Sequence, residues 1–371
     1  MTTLGGIIAL PDGSTVKGNV SFTDRIARIE ESSSAGHDCI LPGLIDLQVN
    51  GSDGFDVMRA TPESLLELGR LLAREGTTAW LPTAVTAPIE QIARSHDAIA
   101  EATELSRASG SQSAAILGMH LEGPFISPLR LGAHPKLNLE PRGDSFESVL
   151  AMQSLKLITL APEIPGALDA IGRLVARGVI VSIGHTNATL EEANAGIAAG
   201  ARMFTHLYNA MRPLNHRDPG VIASALAPSP AFAALIPDGV HVHPEMLRLA
   251  WRARGKSGML IVTDKVLLAN AVANPGGSVG RGRASIRDGA VRLADGTLAG
   301  SIISMLDGVR LMIDKVGVTI GDAAMLAATN PANLLGAIDR GRIQLDARAD
   351  LIVLSRALEL KAVFLGGREL A

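Results

Sequence analysis

The sequence predicts an α/β protein with a (β/α)8 TIM-type barrel and a small β-sandwich domain formed by both chain ends. Eight strand-like apolar runs alternate with helix-like segments through the middle of the chain. Short strand-like runs separated by turn residues occupy both ends, and chain ends often lie close together. A doubly wound open sheet is weakened because no Gly-x-Gly-x-x-Gly turn follows the first run. We place the small domain at residues 1–42 and 336–371, and the barrel at 43–335.

The eight runs have the length and apolar character of buried parallel strands. Between them, Pro62–Ala73 carries leucines at helical spacing. Leu190–Ala199 follows Thr189, a residue that suits the N-terminal cap of a helix. The predicted barrel strands are residues 44–49, 78–83, 114–120, 155–160, 179–183, 201–206, 232–236 and 259–262.

The composition argues against a protein that acts on nucleic acid or a membrane. Of the 371 residues, 47% are apolar and 3% aromatic, and the net charge is −3. A nucleic-acid-binding protein would need a basic surface or stacking aromatic residues. We see neither a signal peptide nor an apolar stretch of membrane-spanning length. The single cysteine, Cys39, is expected to be a small buried residue and suits a reducing compartment, so we expect a cytoplasmic protein.

Polar residues stand where several predicted strands end. Glu122, His185 and His206 follow or end the third, fifth and sixth runs. The carboxyl ends of barrel strands meet at one mouth, so these side chains are expected to converge. One carboxylate and two imidazoles form a ligand set for a divalent metal with an open position. Asp264 ends the eighth run, where it could act as the base for a water molecule.

Other histidines allow more than one interpretation. His120 is either a partner that orients a metal ligand or a hydrogen-bonded core residue. We favour a function for the loop residues His134 and His241, whose glycine neighbours permit close approach of a ligand. For His243 we favour a solvated loop residue.

Two basic residues are equally open to interpretation. Arg217 either binds a phosphate or carboxylate or forms a surface ion pair. For Lys265 we favour a solvated loop residue over a salt-bridge partner or a Schiff-base lysine. A Schiff-base role would make the protein a barrel aldolase.

Several segments together resemble the amidohydrolase superfamily and, within it, the N-acetylglucosamine-6-phosphate deacetylases. Leu41–Asp46 is similar to the first-strand signature of the superfamily. In many members a His-x-His metal pair follows, whereas Gln48 and Asn50 stand in that place here. The resemblance runs nearly end to end and includes residues 120–125, 184–187, 205–211, 217–220, 238–241, 298–301 and 349–351.

The resemblance implies that Glu122, His185 and His206 hold one divalent ion and that Asp264 is the catalytic acid and base. Zinc is the first expectation, with iron, manganese or cobalt as alternatives. The loss of both imidazoles of the metal pair implies a one-metal variant.

The resemblance also implies hydrolysis of the acetamide of an amino sugar phosphate, N-acetylglucosamine-6-phosphate, to acetate and glucosamine-6-phosphate. We interpret His134 as a donor to the oxyanion of that reaction. Relatives are homodimers in which the arginine matching Arg217 reaches the phosphate bound in the neighbouring subunit. The positions that match the lining of the sugar-phosphate site are Ala133, His134, Asn209, Ala210, Arg217, Asp238, Gly239, Val240, His241, Leu298, Ala299 and Gly300.

The segment after Asp264 departs from the family pattern. Relatives usually continue with a small residue, whereas this chain has the bulkier and charged segment Lys265–Asn270. The exact substrate is therefore open, and the galacto epimer of the sugar is an alternative. A non-catalytic, metal-binding scaffold on the same barrel is a further alternative.

Overall fold

The computed structural model describes residues 1–107, 112–137, 139–269 and 276–370. Its strands are β1 (Thr2–Ala9), β2 (Thr15–Phe22), β3 (Ile26–Glu31), β4 (Cys39–Pro42), β5 (Leu44–Val49), β6 (Gly51–Ser52), β7 (Phe55–Asp56), β8 (Thr77–Val85), β9 (Ala115–Ile116), β10 (Met119–Glu122), β11 (Leu155–Leu160), β12 (Ile180–Ile183), β13 (Met203–Phe204), β14 (Phe232–Leu235), β15 (Met259–Ile261), β16 (Gly276–Val279), β17 (Gly282–Arg287), β18 (Ala290–Leu293), β19 (Leu351–Leu354), β20 (Leu360–Leu365) and β21 (Arg368–Glu369). Its α-helices are α1 (Pro62–Arg74), α2 (Ile89–Ser106), α3 (Gly143–Leu150), α4 (Ala167–Ala176), α5 (Leu190–Ala198), α6 (Gly220–Leu226), α7 (Pro244–Gly258), α8 (Met305–Leu311), α9 (Ile320–Ala324) and α10 (Asn330–Leu335). A 3₁₀ segment spans Val57–Arg59, and π-helical segments span Met312–Val316 and Met325–Thr329.

Parallel strands form the predicted barrel, in the order β5, β8, β10, β11, β12, β13, β14 and β15. Each predicted run overlaps one of these strands, so the predicted fold class is confirmed. Strands such as β11 are buried almost throughout, because the barrel interior covers one face and the helices cover the other. The interior is filled by a separate apolar cluster that includes Ile45, Leu47, Leu81, Leu157, Met203, Ile236, Leu260 and Val262.

Some helices around the barrel begin at side-chain caps that the sequence encodes, among them α1, α5 and α8. For α5, the Glu192 N–H donates to the Thr189 hydroxyl at 3.2 Å, and the Thr189 N–H donates to the Glu192 carboxylate at 2.8 Å. This reciprocal pair satisfies two backbone donors that the helix leaves unpaired. The predicted cap at Thr189 is therefore confirmed.

The first and last barrel strands, β5 and β15, meet at a seam made largely of side-chain and loop contacts. Asp46 of β5 accepts hydrogen bonds from the N–H of Thr263, at 3.2 Å, and from its hydroxyl, at 2.5 Å. The carbonyl of Gln48 accepts the N–H of Asp264 at 2.9 Å. The barrel thus closes at the point where Asp264 stands.

Both chain ends meet in one mixed seven-stranded sheet, in the order β21, β20, β19, β4, β1, β2 and β3. β4 runs parallel to β1 and antiparallel to β19, which joins the N-terminal strands to the C-terminal ones. The rings of Phe22 and Phe364 pack edge to face, with centroids 5.3 Å apart. The predicted small β domain from both ends is therefore present, and its described strands share one hydrogen-bonded sheet.

An additional antiparallel sheet of β16, β17 and β18 lies between β15 and α8 in the chain. This sheet was not predicted from the sequence. The N–H of Arg281, in the turn between β16 and β17, donates to the carbonyl of Ala133 at 2.9 Å, so this sheet contacts the loop after β10. Among the described residues, the helices lack the length and apolar character needed to span a membrane.

Candidate active site

Glu122, His185 and His206 converge at the carboxyl ends of three barrel strands. Glu122 ends β10, and the two histidines follow β12 and β13 by two residues. The Nε2 atoms of His185 and His206 lie 3.1 and 3.0 Å from Glu122 Oε1, and 3.1 Å from each other. All three side chains are buried. The structure thus brings together the three residues that the sequence suggested as metal ligands.

The hydrogen bonding of His185 fits a metal ligand. Its Nδ1 lies 2.9 Å from the carbonyl of Arg130, so Nδ1 carries the ring hydrogen and donates it. Nε2 is left with its lone pair facing Glu122 and His206. Burial, and then the neighbouring His134, lower the pKa of His185 to about 4, so the ring is neutral. A neutral imidazole with a free lone pair is the form that binds a cation.

The charges of the cluster also favour a cation. Burial would raise the pKa of Glu122, but the imidazoles packed around its carboxylate, with His134 first, hold it well below its usual range. Burial would lower the pKa of His206, but the Glu122 carboxylate outweighs this and raises it. The ligand atoms of Glu122, His185 and His206 all lie within 4.8 Å of one another. A buried anion beside two imidazole nitrogens is therefore a suitable donor set for a divalent metal.

Asp264 faces the same cavity from the seam of the barrel. Its Oδ1 accepts hydrogen bonds from Asn50 Nδ2 at 2.7 Å and from Gln48 Nε2 at 3.1 Å. Gln48 Nε2 also donates to Glu122 Oε1 at 2.9 Å. Burial, and then the negative charge of Glu122, raise the pKa of Asp264 above its ordinary value. A carboxyl group fixed through one oxygen, with raised proton affinity, can accept a proton on the other oxygen.

The backbone is strained at three of these residues. His185, His206 and Asp264 have φ angles of 48°, 31° and 50°, in the left-handed region that side chains with a Cβ seldom adopt. Such conformations cost about 1–3 kcal/mol each and cluster at functional sites. The strain therefore supports a functional role for these strand ends.

His134 lies beside the cluster and is buried. The Thr86 hydroxyl lies 2.8 Å from Nδ1 of His134 and 3.3 Å from the carbonyl of Glu122, and these contacts hold the ring in place. Nε2 points towards Glu122 Oε2, at 3.5 Å. His134 is thereby held at the edge of the cluster.

A cavity of about 470 Å³ opens at the barrel mouth, and its wall includes Glu122, His134, His185, His206 and Asp264. Most positions suggested as substrate-binding line it, namely Ala133, His134, Asn209, Ala210, His241, Leu298, Ala299 and Gly300. Gly239 and Val240 are not among the lining residues, and neither is Asp238.

Asp238 instead holds His241. Its carboxylate accepts the backbone N–H groups of Val240 and His241 at 2.8 and 2.7 Å, and His241 Nδ1–H at 2.6 Å. Burial would raise the pKa of Asp238, but these bonds lower it. Asp238 therefore fixes the imidazole of His241 at the cavity wall.

Arg217 lies outside this cavity. It is exposed and borders a separate surface depression together with Arg130 and Arg212. Its backbone N–H donates to Asn215 Oδ1 at 3.0 Å. Within a single chain, Arg217 is thus not brought to the predicted metal ligands.

The interpretation of Lys265 as a solvated residue is wrong. Lys265 is 1% exposed, and its Nζ lies 2.8 and 2.7 Å from the two carboxylate oxygens of Glu75. The salt-bridge alternative is correct. Because Nζ is buried in an ion pair and Lys265 is not among the cavity-lining residues, the aldolase alternative is not supported. Asn270, at the end of the same segment, lies outside the described residues.

The two alternatives for His120 are also resolved. Its Nδ1 lies 3.0 Å from the carbonyl of Leu47, and its Nε2 lies 2.9 Å from the hydroxyl of Thr159. Burial lowers the pKa of His120 to about 4. It is a hydrogen-bonded core residue. His243, for which no function was expected, caps α7 by accepting the N–H of Glu245.

Several cavity residues escaped the sequence analysis. Thr86, which orients His134, follows β8 directly, and a search of every strand end would have found it. Gln48 and Asn50 were noted only because they replace two histidines of the family pattern. That their amides donate hydrogen bonds to Glu122 and Asp264 could not be predicted from this replacement. Residues 278–280 reach the cavity from the additional sheet, which had no sequence signal.

Comparison with known proteins agrees with this geometry. A profile of the amidohydrolase family matches residues 39–370. The chain belongs to the amidohydrolase family. As a member of this family it has a candidate buried metal site formed by Glu122, His185 and His206.

Three relatives place the chain more closely within the amidohydrolases. It is 36% identical to the N-acetylglucosamine-6-phosphate deacetylase of Vibrio furnissii, over 98% of this chain and 90% of the relative. It is 35% identical to the N-acetylgalactosamine-6-phosphate deacetylase of Escherichia coli O157:H7, over 94% of this chain and 89% of the relative. A solved structure of the N-acetylglucosamine-6-phosphate deacetylase of Mycobacterium smegmatis, a variant in complex with N-acetylglucosamine-6-phosphate, has a TM-score of 0.91 and 29% identity. The structural alignment covers 100% of this chain and 99% of the Mycobacterium smegmatis chain.

Proposed function

We propose that this protein hydrolyses N-acetylglucosamine-6-phosphate to glucosamine-6-phosphate and acetate. The observation that carries the proposal is the convergence of Glu122, His185 and His206 in one cavity with Asp264. A set of metal ligands beside a carboxyl group that can accept a proton is suited to metal-assisted hydrolysis of an amide. The relatives of Vibrio furnissii and Mycobacterium smegmatis are named for this reaction.

We propose zinc as the metal, held by Glu122, His185 and His206, because two imidazoles and a carboxylate suit zinc. Iron, manganese and cobalt use the same ligands. When bound, the cation lowers the pKa of a water molecule and polarises the amide carbonyl. Elemental analysis of the purified protein tests this assignment.

The residues of the chain divide the remaining work of the reaction. Asp264 takes the proton of the attacking water, with one of its oxygens held by Asn50 and Gln48. His134, oriented by Thr86, donates a hydrogen bond to the carbonyl oxygen as negative charge develops there. Asp264 then returns the proton to the departing amine.

His241 anchors the phosphate at the cavity wall in this proposal. Asp238 fixes the ring from behind, and Asn209 and Ala210 line the cavity nearby. Binding energy from this remote group orients the acetamide against Asp264.

We further propose that the protein works as a homodimer. Arg217 lies outside the cavity of its own chain and on the surface, where it is free to reach a neighbouring subunit. Leu129 and Leu214 nearby have 71% and 45% of their surface exposed, a suitable apolar surface for a subunit contact. Light scattering of the purified protein measures the oligomeric state, and a monomer would contradict this assembly.

N-acetylgalactosamine-6-phosphate is a second candidate substrate. The relative named for that sugar is 35% identical, close to the 36% of the Vibrio furnissii protein. The two sugars differ in the configuration of one hydroxyl group, which a single loop contact distinguishes.

The deciding experiment measures acetate release from both epimers, with and without a chelator. The proposal expects a higher kcat/KM for the gluco epimer and loss of activity after chelation. Preference for the galacto epimer would support the second candidate. Turnover that survives complete removal of metal would contradict both.

A further inference from the structure

Lys265 is a buried charge that the proposed reaction does not use. It directly follows Asp264, yet its side chain runs to Glu75, the residue after α1. The lysine is 1% exposed, whereas the Glu75 side chain is 25% exposed. An ammonium group is thus taken out of water on the residue that follows the proposed catalytic base.

Stability alone is a weak reason for such a group. Burial of an ion pair carries a large desolvation cost for each ion, and packed apolar residues of similar volume are often as stable or more so. Leucine and isoleucine side chains fill the adjoining barrel interior without such a cost. We therefore looked for a reason for the buried lysine in the contacts that its backbone and side chain make around Asp264.

The backbone of Lys265 joins the last barrel strand to the first. Its carbonyl accepts the N–H of Asn50 at 2.8 Å and the N–H of Gly51 at 3.1 Å. Its own N–H donates to the Thr263 hydroxyl at 3.2 Å, and that hydroxyl is bound by Asp46. Lys265 also forms bridges with Val49 and Ser301 on either side.

These contacts enclose Asp264. Its N–H and carbonyl are bound by the Gln48 carbonyl and the Ser301 N–H, both at 2.9 Å, and its carboxylate by Asn50. Its φ of 50° is strained, so the segment holds this conformation only if its flanks are fixed. The Lys265–Glu75 pair is the contact that ties this segment to the helix layer outside the barrel wall.

We propose that Lys265, through its ion pair with Glu75, is a positioning residue that holds Asp264 in its strained, reactive orientation. The proposal rests on the proposed function of Asp264. It assigns the pair a role in turnover, not in substrate binding or metal binding, because neither residue lines the cavity.

The test replaces Lys265 by methionine in the full-length protein. Methionine has an unbranched side chain of similar length but carries no charge. We expect kcat to fall about 10- to 100-fold, as when a reacting group is displaced by about 1 Å. The KM and the metal content should stay within about twofold of the original protein. Lys361→Met is the matched control, since Lys361 pairs with Asp38 at 2.6 Å in the small sheet; it should leave kcat unchanged.

Glu75→Asp provides a second variant, because it keeps the charge but shortens the reach, and an intermediate kcat is expected. A kcat equal to that of the original protein in folded Lys265→Met, with only a lower thermal midpoint, would refute the positioning role. If Lys265→Met does not fold, the Glu75→Asp result decides between the same two outcomes.

Failure of the proposed function can be told apart from failure of this inference. If the original protein releases no acetate from either epimer, the proposed function fails. Hydrogen exchange at the amides of Asp264 and Val266 then judges the positioning role on its own. Faster exchange in both Lys265 and Glu75 variants supports the role, and unchanged exchange refutes it.

Discussion

Replacement of Asp264 by asparagine tests the proposed proton transfer most directly. In the original protein, Asp264 Oδ1 lies 2.7 Å from Asn50 Nδ2 and 3.1 Å from Gln48 Nε2. The amide oxygen of asparagine can accept the same two hydrogen bonds, so we expect them to be retained. What is lost is the second carboxylate oxygen, the only atom of the side chain that could take a proton. General base catalysis contributes about 10²- to 10⁴-fold to a rate, and we expect kcat to fall by that factor. This corresponds to about 3–5 kcal/mol in the activation barrier.

Two further measurements separate loss of the base from loss of the site. Metal content by elemental analysis should be unchanged, because Glu122, His185 and His206 converge without help from Asp264. The thermal midpoint should stay equal or rise, since the change removes a buried carboxylate whose charge repels that of Glu122. Asp97→Asn, at a side chain with 80% exposure, serves as the control. A nearly normal kcat, or loss of metal in Asp264→Asn, would refute the assignment of Asp264 as the base.

The remaining predictions concern the metal ligands, the oxyanion donor and the phosphate anchor. Glu122→Ala and His206→Ala should each lose most of the bound metal on elemental analysis, because each removes one of three converging ligands; full occupancy would show that the ion binds elsewhere. His134→Ala should keep the metal and lower kcat by about 10²- to 10³-fold, the usual effect of removing an oxyanion donor, and a change confined to KM would contradict that role. Arg217→Ala should raise KM for the phosphorylated sugar and leave the slower hydrolysis of N-acetylglucosamine unaffected; equal harm to both substrates would argue against a contact with phosphate.

The barrel and the metal cluster could be predicted because their signals are local. A parallel strand buried on both faces needs a nearly continuous apolar run, and each run overlaps an observed strand. A carboxylate or imidazole at the end of such a run must face the mouth or pay a large desolvation cost. These two rules were enough to place Glu122, His185, His206 and Asp264 together.

Residues whose role depends on contacts distant in sequence could not be predicted. Lys265 looks like a loop residue until Glu75, 190 residues earlier, is brought against it. His120 is assigned by two partners, Leu47 and Thr159, that lie on other strands. In the additional sheet, the short strands β16 and β17 contain glycine and β17 is partly exposed, so they lack the apolar pattern of the barrel strands.

The amides at Gln48 and Asn50 connect the sequence pattern to the proposed chemistry. In many members of the superfamily this strand end carries imidazoles that bind a second metal, whereas here both side chains donate N–H groups. Gln48 Nε2 donates to both Glu122 and Asp264, and Asn50 Nδ2 donates to Asp264. A donor that faces two carboxylates supplies only a partial positive charge between them. These two amides hold Oδ1 of Asp264, and in the proposed reaction the other carboxylate oxygen accepts the proton. The proposed single-metal site and the proposed role of Asp264 as a base both agree with the hydrogen bonds from Gln48 and Asn50.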